Sequence, residues 1–412
     1  MDSIIVVGGG FGGLWSAIGA ARKLREAGIG QDRAEVLLID PEPHHRVRVR
    51  NYEADLASTL VPYAEVLAPI GVRHVKGEVV AIDVAAQTVA VRQDQRTATL
   101  PYARLIVATG SQLTRPPIPG LAAHAFDIDT YEGARRLQAH IQGLAAMPPA
   151  PERFTAVVLG AGLTGIELAL ELPERLREAA SRAQGAAGAL TCRTILADRN
   201  ACIGAAMGGA IPVIARACHE LGVETLPNVA LAAIDATGVT WADGSRLPAA
   251  TVVWCGGMRA HPLNASLPVT LDPLGRLPVD SFMRVNGLPN VFAAGDAAHA
   301  LIDGSHASVM SCQHARPMGR FAGHNAAAAL LGSPMLALRI DWYTTILDLG
   351  PWGAVYTEGW DRHLVAQGEV AKQTKRTINH ERIYPPRSAN ADDILQAGAP
   401  VVQRPPAYGA SD

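Results

Sequence analysis

Short runs of branched apolar residues recur along this chain, followed by glycines or by a stretch rich in alanine and leucine. Residues 4–7 form the first run, residues 14–24 follow with the composition of a helix, and residues 34–39 form a second apolar run that ends at Asp40. Short continuous apolar runs are typical of strands buried in a parallel sheet. The opening of the chain is therefore predicted to be a βαβ unit.

The same arrangement returns about 150 residues further along the chain. Residues 155–159 predict a strand, residues 160–165 a glycine turn, residues 166–180 a helix, and residues 194–197 a strand that ends at Asp198. Further apolar runs predict buried strands at residues 104–108, 251–254 and 290–294. Two copies of one βαβ unit indicate an α/β chain with two Rossmann-type dinucleotide-binding domains.

The positions of these units predict how the domains follow one another. A length of 412 residues fits two or three domains, at about 100–200 residues each. We expect residues 1–120 and 256–330 to form one domain, with residues 121–255 inserted in it as the second. Residues 331–412 are expected to form a C-terminal interface region, rich in tryptophan and tyrosine, with a polar tail that is mobile from Tyr384.

Composition and charge exclude several classes of function. The formal net charge is −2, so bulk charge gives no reason to expect nucleic acid or an anionic membrane as a partner. No uninterrupted apolar stretch reaches the roughly 18 residues of a membrane-spanning helix. The N-terminal residues lack the features of a signal peptide. These observations predict a cytoplasmic protein without a stable membrane anchor.

The cysteines give no sign of a disulfide framework or a metal site. Five of them are scattered along the chain without a Cys-x-x-Cys pair: Cys192, Cys202, Cys218, Cys255 and Cys312. A structural zinc site lacks its usual ligand spacing. We expect reduced thiols and no bound metal.

The first glycine turn carries the chemistry of dinucleotide binding. Residues 8–13 (GGGFGG) match the pattern G-x-G-x-x-G between a strand and a helix. Gly8 permits the tight turn, Gly10 lets the backbone approach a pyrophosphate, and Gly13 lets the helix pack on the strand. The helix N-terminus stabilises the phosphates, and the carboxylate of Asp40 is suited to the ribose hydroxyls.

The second glycine turn repeats this pattern and implies a second dinucleotide. Gly160, Gly162 and Gly165 occupy the three glycine positions, and Asp198 ends the following strand. A carboxylate there binds a ribose 2′-hydroxyl and repels a 2′-phosphate, so NADH is expected to be preferred over NADPH. Arg199 is adjacent and is expected to moderate that preference.

Two later motifs make a resemblance specific. Residues 105–110 (LIVATG) and residues 291–296 (VFAAGD) resemble the two later FAD signatures of the flavoprotein reductases with two dinucleotide-binding domains, the glutathione-reductase-like fold. Within that group, residues 160–168 (GAGLTGIEL) and 254–262 (WCGGMRAHP) look like the type II NADH dehydrogenases. The resemblance covers roughly residues 3–330.

The resemblance implies two cofactors and their binding residues. FAD is expected to bind to the first domain, and NADH, or less favourably NADPH, to the second. The resemblance implies these residues for FAD: Gly8, Gly10, Gly12, Gly13, Asp40, Val79, Ala108, Thr109, Gly110, Asp296 and Ala315. It implies these residues for the nicotinamide cofactor: Gly160, Gly162, Gly165 and Asp198.

The chain departs from its relatives in three places. The first cysteine is Cys192, so the redox cysteines that disulfide reductases carry early in the chain are absent. Type II NADH dehydrogenases carry Ala-Gln-x-x-x-Gln near their quinone site, and residues 312–317 (CQHARP) keep only the first glutamine. Those enzymes end in amphipathic membrane-binding helices, whereas residues 371–387 are too polar for that role.

Three residues are candidates for catalysis. Glu167 begins a helix, where it is either a favourable partner of the helix dipole or, by resemblance, a neighbour of nicotinamide and flavin. Gln313 and His314 precede a helix predicted at residues 319–331, whose start lies by resemblance under the flavin. His314 is expected either to donate a proton or to satisfy local backbone. Arg50, Tyr52 and Glu53 are further candidates for the acceptor pocket; the alternative is that the alternating arginines before them lie on an exposed strand face.

These observations predict an FAD-dependent oxidoreductase that passes hydride from NADH to FAD and on to a small, quinone-like acceptor. Two alternatives remain. One is a reductase for a ferredoxin- or rubredoxin-type protein, which predicts salt-sensitive turnover. The other is an NADH-sensing flavoprotein with slow turnover. The C-terminal region is also a candidate homodimer interface.

Overall fold

The computed structural model describes residues 1–184 and 191–406. The helices in this part of the chain are α1 (Phe11–Glu26), α2 (Tyr63–Leu67), α3 (Leu121–His124), α4 (Tyr131–Gly143), α5 (Leu163–Gln184), α6 (Ile211–Leu221), α7 (Cys312–Leu330), α8 (Glu369–Thr377) and α9 (Ala391–Ala397). The strands are β1 (Asp2–Val7), β2 (Ala34–Asp40), β3 (His44–Arg46), β4 (Leu60–Pro62), β5 (Arg73–Lys76), β6 (Glu78–Asp83), β7 (Thr88–Gln93), β8 (Arg96–Pro101), β9 (Arg104–Val107), β10 (Ser111–Leu113), β11 (Thr155–Leu159), β12 (Arg193–Ala197), β13 (Val223–Leu226), β14 (Leu231–Asp235), β15 (Gly238–Trp241), β16 (Arg246–Pro248), β17 (Thr251–Trp254), β18 (Met258–Ala260), β19 (Leu277–Pro278), β20 (Val291–Ala293), β21 (Ala298–His299), β22 (Thr344–Asp348), β23 (Ala354–Glu358) and β24 (His363–Gly368).

A parallel sheet with the order β20-β9-β1-β2-β5 forms the core of the first unit. The pairing of Val7 with Ile39 and with Val107 brings the carboxyl ends of three strands to one edge. Strand β20 joins this sheet only after the chain has passed through the second unit. The first sheet is therefore interrupted in sequence by the residues that form the second sheet.

The second unit is built on a parallel sheet with the order β13-β12-β11-β17. Its central strand β11 is fully buried, because Thr155–Leu159 is covered on both faces. Helix α5 packs on this sheet through Ile166, Leu168 and Ala169, none of which is exposed. Both predicted βαβ units are thus present and use the same strand–glycine turn–helix order.

Helices α1 and α7 pack closely because small residues meet at their contact. A Cβ atom on Gly319 would lie 2.4 Å from the carbonyl oxygen of Gly12, and one on Gly323 would lie 2.0 Å from that of Ser16. No side chain fits between backbones at these distances. This close packing holds the first turns of α1 against the middle of α7.

The C-terminal part differs from the predicted mobile tail. Strands β22, β23 and β24 form an antiparallel sheet, and α8 packs against it. Beyond Tyr384, helix α9 packs on α1, where Gly398 contacts Ile18. Tyr384 itself accepts a hydrogen bond from Arg50 at 2.6 Å. Residues 384–406, the C-terminal segment, are therefore held against the first domain, and no local pattern indicates those long-range contacts.

Among the described residues, no helix has both the length and the apolar character needed to cross a membrane.

Candidate active site

A single cavity of about 880 Å³ extends between the two parallel sheets. Gly8, Gly10 and Gly12 of the first glycine turn line it, and Gly162 and Gly165 of the second turn line it as well. The carboxyl ends of parallel strands are the usual position of ligands in α/β proteins. Both predicted nucleotide turns therefore open on one shared space.

The two turns have the same geometry at corresponding glycines. Gly8 has φ +94° and Gly160 has φ +110°, which side chains other than glycine rarely adopt. A Cβ atom on Gly165 would lie 1.8 Å from the carbonyl oxygen of Gly160, so this glycine allows the helix to approach the strand. By contrast, a Cβ atom on Gly10 or Gly162 would meet no atom within 4 Å. The middle glycines leave backbone exposed to the cavity, as a phosphate site requires.

The acidic residues at the strand ends bind the glycine turns. Asp40 accepts a hydrogen bond from the Gly9 N–H at 2.6 Å, and Asp198 accepts one from the Ala161 N–H at 2.5 Å. Asp40 lines the cavity, whereas Asp198 does not. Each carboxylate keeps lone pairs beyond these bonds, which is the chemistry needed to accept ribose hydroxyls.

The later motifs of the first domain meet at the same edge. Ala108, Thr109, Gly110, Asp296 and Ala315 all line the cavity. Gly110 has φ +71°. Asp296 accepts a hydrogen bond from Ser111 Oγ at 2.5 Å, and burial raises the pKa of its carboxyl. The two motifs are almost 190 residues apart in sequence and adjacent in the fold.

Val79 is a correction to the predicted set. It is 6% exposed and belongs to the apolar core, in the antiparallel sheet of β6, β7 and β8. It does not line the cavity. The side chain of Val79 points from β6 into the apolar core of the first domain. Its role in the described structure is therefore packing.

Glu167 lines the cavity and is paired with a lysine from the C-terminal part. Lys375 Nζ donates to Glu167 Oε1 at 2.8 Å, and the side chains are 9% and 8% exposed, respectively. Burial raises the pKa of Glu167, although Lys375 opposes this shift. Burial lowers the pKa of Lys375, but the carboxylates of Glu167 and Asp348 outweigh it and raise that pKa above its usual value. The pair therefore places a protonated, buried lysine at the cavity wall.

Sequence reasoning missed Lys375. The residue lies in α8, 208 positions from its partner, within a polar segment that reads as an exposed helix. A spacing of this length carries no periodic signal. The same segment that was judged too polar for a membrane helix is instead folded over the cavity.

A second, smaller space of about 180 Å³ lies behind this pair. Lys375 and Tyr52 line both spaces, while Glu171 and Asp348 line only the smaller one. Tyr52 donates to Asp348 Oδ2 at 3.1 Å, and Lys372 also donates to Asp348. Burial, with Asp348 close by, raises the pKa of Glu171 to about 7. Polar groups therefore continue from the cavity wall toward the surface.

Gln313 lines the cavity at the start of α7. Its Oε1 accepts a hydrogen bond from Thr344 Oγ1 at 3.2 Å. Its Nε2 is buried and has no hydrogen-bond partner among the described residues. A buried amide donor without a partner is costly unless a ligand supplies an acceptor. Gln313 is thus positioned to bind a ligand.

His314 is a second correction. The side chain is fully buried, does not line the cavity, and accepts the Val309 N–H at Nδ1 over 2.9 Å. Burial lowers the pKa of His314 to about 4. A histidine that is neutral and turned into the fold does not deliver a proton to the cavity. Helix geometry explains the difference, since consecutive residues of α7 face about 100° apart.

The predicted role of Arg50 is also corrected. Arg50 is 3% exposed and bonded to Glu53 at 2.6 Å and to Tyr384 at 2.6 Å, and it does not line the cavity. Arg48, two residues earlier, lines the cavity instead and binds Ser111 and Asp129. The segment therefore is not an exposed strand face, and its alternate arginines point to different partners.

The two cysteines that line the cavity are not thiolates. Burial raises the pKa of Cys255 to about 12 and also raises the pKa of Cys312. Cys202, Cys218, Cys255 and Cys312 are free of a disulfide. The described residues contain no cluster of histidine, cysteine and acidic side chains that would hold a metal ion.

Comparison with known proteins agrees with this architecture. Residues 2–319 match the model of the family described as pyridine nucleotide-disulphide oxidoreductase. The chain is 51% identical over 407 residues to the NADH dehydrogenase-like protein MT1860 of Mycobacterium tuberculosis, and the match covers 98% of this chain and 100% of that protein.

Two further similarities extend the comparison. The chain is 30% identical over 319 residues to the type II NADH:quinone oxidoreductase NdhA of Mycobacterium tuberculosis, covering 71% of this chain and 65% of that protein. The structure of NDH2 from Plasmodium falciparum in complex with NADH superposes with a TM-score of 0.77 at 12% identity, over 96% of this chain and 98% of the other. At that identity the likeness concerns the fold.

Proposed function

Because this chain belongs to the pyridine nucleotide-disulphide oxidoreductase family, we propose that it is an FAD-dependent NADH oxidoreductase that reduces a small, quinone-like acceptor. The observation that supports this most is the shared cavity, which both glycine turns line together with Glu167 and Gln313. A protein that binds one dinucleotide needs only one such glycine turn. Two turns that line the same cavity fit two dinucleotides that exchange electrons.

The first turn fits FAD. Gly10 leaves open space for a pyrophosphate at the N-terminus of α1, and Asp40 is available for ribose hydroxyls. Asp296, Thr109 and Ala315 form the wall where the rest of the cofactor would lie. When bound, FAD supplies the carrier that takes a hydride from NADH and releases two electrons to the next acceptor.

The second turn fits the nicotinamide cofactor. Gly162 offers the corresponding open backbone, and Asp198 is suited to a 2′-hydroxyl. NADH is therefore the proposed donor. The residue that this side of the cavity offers to the nicotinamide end is Glu167, whose second carboxylate oxygen is free of the Lys375 bond.

Proton delivery is assigned to the lysine pair. Reduction of a quinone by NADH consumes one proton from solvent: NADH, H⁺ and quinone give NAD⁺ and quinol. Lys375 carries a proton at Nζ and lines both the cavity and the smaller space behind it. It is therefore placed to relay a proton inward, and Glu171, whose pKa burial raises to about 7, is the group of the smaller space that is suited to supply that proton.

The acceptor is assigned to the side of Gln313. The Nε2 donor of this residue has no partner in the described structure and is available to a carbonyl oxygen. Pro317 replaces the second glutamine of the quinone-enzyme motif and also lines the cavity. A small planar acceptor that takes two electrons fits this arrangement.

We further propose that the protein works in the cytoplasm, without a stable membrane anchor. This proposal is supported by α8 and the C-terminal segment, which contact the protein's own domains through Lys375 and Tyr384. Homodimer formation through the C-terminal region stays a prediction. A vesicle sedimentation assay tests whether the protein binds membranes, and a sedimentation-velocity run tests whether it forms a homodimer.

Anaerobic stopped-flow spectroscopy tests the proposed function. The purified protein is mixed with NADH, and the flavin absorbance is expected to fall; quinones, dyes, oxygen and ferredoxin are then compared as reoxidants. Fast reoxidation by small quinones supports the proposal. Fast, salt-sensitive reoxidation by ferredoxin alone would assign a protein acceptor, and slow reoxidation by every acceptor would assign a sensing role.

A further inference from the structure

Four arginines line one end of the cavity, beyond Gln313. Arg316 and Arg320 are on α7, Arg382 follows α8, and Arg404 is in the C-terminal segment. Residues three, four and seven apart share one face of a helix, so Arg316 and Arg320 continue the wall that Gln313 begins. These four residues are called the arginine cluster below.

The cluster carries positive charge without matching negative charge. Among the described residues, no carboxylate lies within ion-pair distance of any of the four. Arg316 donates to Gln403 Oε1 at 3.2 Å, and Arg320 donates weakly to the Val401 carbonyl at 3.4 Å. The Nε atoms of Arg316 and Arg320 are buried and have no hydrogen-bond partner in that part of the chain.

Burial makes these unpaired charges costly. Arg320 is 2% exposed, and both guanidinium groups lie over the ring of Trp15, at 5.0 and 4.3 Å from its centroid. Burial lowers the pKa of Arg316 to about 10 and that of Arg320 to about 9. Stacking on an aromatic ring offsets only about 0.5–2 kcal/mol. The nearby Cys312 thiol stays neutral, so it gives no compensating charge.

We propose that the arginine cluster binds the acidic group of the electron acceptor, which makes the substrate a quinone-type acceptor that carries a carboxylate. This inference rests on the proposed function. Guanidinium groups bind carboxylates through paired N–H donors, and Gln403 and Arg404 close this end of the cavity. The acidic group does not react: the quinone ring takes two electrons and two protons, and the carboxylate fixes its position beside Gln313.

Two quinones with one redox nucleus test the inference on the wild-type holoenzyme. One is a 1,4-naphthoquinone with a propanoate side chain, and the other carries a propanamide instead. A lost charged hydrogen bond costs about tenfold or more in affinity. We therefore expect the propanoate to have a KM at least about tenfold lower, and calorimetry without NADH is expected to give the same order of affinities for the oxidised protein.

Variants assign the effect to the cluster. Arg316→Gln/Arg320→Gln is expected to raise the KM and the Kd for the propanoate about tenfold or more, while the values for the propanamide and the FAD content stay unchanged. Arg316→Lys keeps the charge and should retain part of the preference for the propanoate over the propanamide. This variant keeps the test possible if the double variant does not fold. Arg96→Gln, an exposed arginine of β8, is the matched control.

Each contrary outcome has a distinct meaning. Equal KM values for both quinones with rapid turnover would overturn the inference and leave the proposed function intact, with the arginines only fastening the C-terminal segment. Loss of FAD from the arginine variants would overturn it by assigning the cluster to the cofactor. If NADH reduces the protein and neither quinone reoxidises it, the proposed acceptor class itself fails.

Discussion

At the scale of single residues, the ion pair of Lys375 and Glu167 is the feature that most constrains the cavity. Both side chains are under 10% exposed, and Lys375 also donates to the Ile346 carbonyl at 3.2 Å. An ion pair in such a place stabilises little against apolar replacements, yet removing one partner leaves a buried charge. The pair is therefore expected to be sensitive to single substitutions and tolerant of a double one.

Lys375→Met is predicted to lower the free energy of unfolding by about 3 kcal/mol, because Glu167 loses its partner. Urea denaturation at pH 7 measures this change. The double variant Glu167→Gln/Lys375→Met should recover part of the loss. Arg376→Met, which removes the exposed pair with Glu369, is the control and should cost under about 1 kcal/mol. Equal losses for Lys375→Met and the control would refute the argument.

Asp198→Ala is predicted to narrow the preference for NADH over NADPH. The carboxylate that repels a 2′-phosphate is removed, while Arg199 remains next to it. The measurement is the ratio of kcat/KM for the two cofactors in the wild type and the variant. An unchanged ratio would mean that Asp198 only fastens its turn through the Ala161 N–H.

Two buried histidines predict acid sensitivity. Burial lowers the pKa of His45 and of His314 to about 4, whereas the unfolded value is about 6.5. The unfolded chain therefore binds more protons between these values, so their contribution to stability is present above pH 6.5 and is lost as the pH falls toward 4. At pH 5, each histidine is expected to lower the free energy of unfolding by about 2 kcal/mol relative to neutral pH.

Urea denaturation at pH 7 and pH 5 checks this slope. The variant His314→Asn keeps an acceptor for the Val309 N–H but has no imidazole to titrate. It should lose less stability between the two pH values than the wild type does. An identical pH dependence in both proteins would show that His314 does not contribute in this window.

The residues that a sequence pattern can locate are those whose positions are set locally. Gly10, Gly162 and Glu167 lie within or beside a strand–turn–helix unit whose pattern can be read directly, and they line the cavity. Lys375 and the arginine cluster depend on contacts between distant segments, which no periodicity encodes. Arg316 and Arg320 did carry one signal: they lie four residues apart in a helix that has no other arginine, lysine or acidic residue.

At the scale of elements, the two glycine turns are near copies that are proposed to bind different dinucleotides. The third glycine of each turn allows its helix to approach the first glycine of the turn. A Cβ atom would lie 1.7 Å from the Gly8 carbonyl at Gly13, and 1.8 Å from the Gly160 carbonyl at Gly165. A glycine-to-alanine substitution at the third glycine therefore causes the same steric clash in both turns. The cofactor whose binding is lost is expected to differ.

Gly13→Ala is predicted to purify without FAD, because the first turn cannot keep its geometry. Gly165→Ala should retain FAD and lose most of its reduction by NADH. Absorbance spectra of the purified variants and stopped-flow mixing with NADH measure both effects. Gly143→Ala is the control, since its φ is −78° and no atom lies within 4 Å of the added carbon. Loss of FAD from Gly165→Ala would contradict the assignment of the turns.

The C-terminal elements show where element prediction failed. Residues 371–387 are too polar for a membrane-binding helix, and the proline-rich tail from Tyr384 is predicted to be mobile. In the fold, α8 closes the cavity through Lys375, and Tyr384 binds Arg50 and the Ser58 carbonyl. The positions of both segments are set by tertiary contacts of a few polar side chains. The local sequence preference for exposed or mobile structure does not set them.

At the scale of the whole molecule, the fold brings the proposed donor side and the proposed acceptor side to one cavity. The inserted second domain contributes Glu167, while α7 of the first domain contributes Gln313. None of the described cysteines is a thiolate at the cavity, so electrons have no sulfur relay there. The central claim is that NADH binds beside Glu167 and the acceptor beside Gln313.

The most direct test of this claim is stopped-flow measurement of both half-reactions in Gln313→Ala. The rate of flavin reduction by NADH is expected to stay close to the wild-type rate, because the substitution lies on the acceptor side. The rate of reoxidation by a small quinone is expected to fall about tenfold, since a hydrogen bond to the acceptor is lost. A variant in which reduction slows and reoxidation is unaffected would contradict the account.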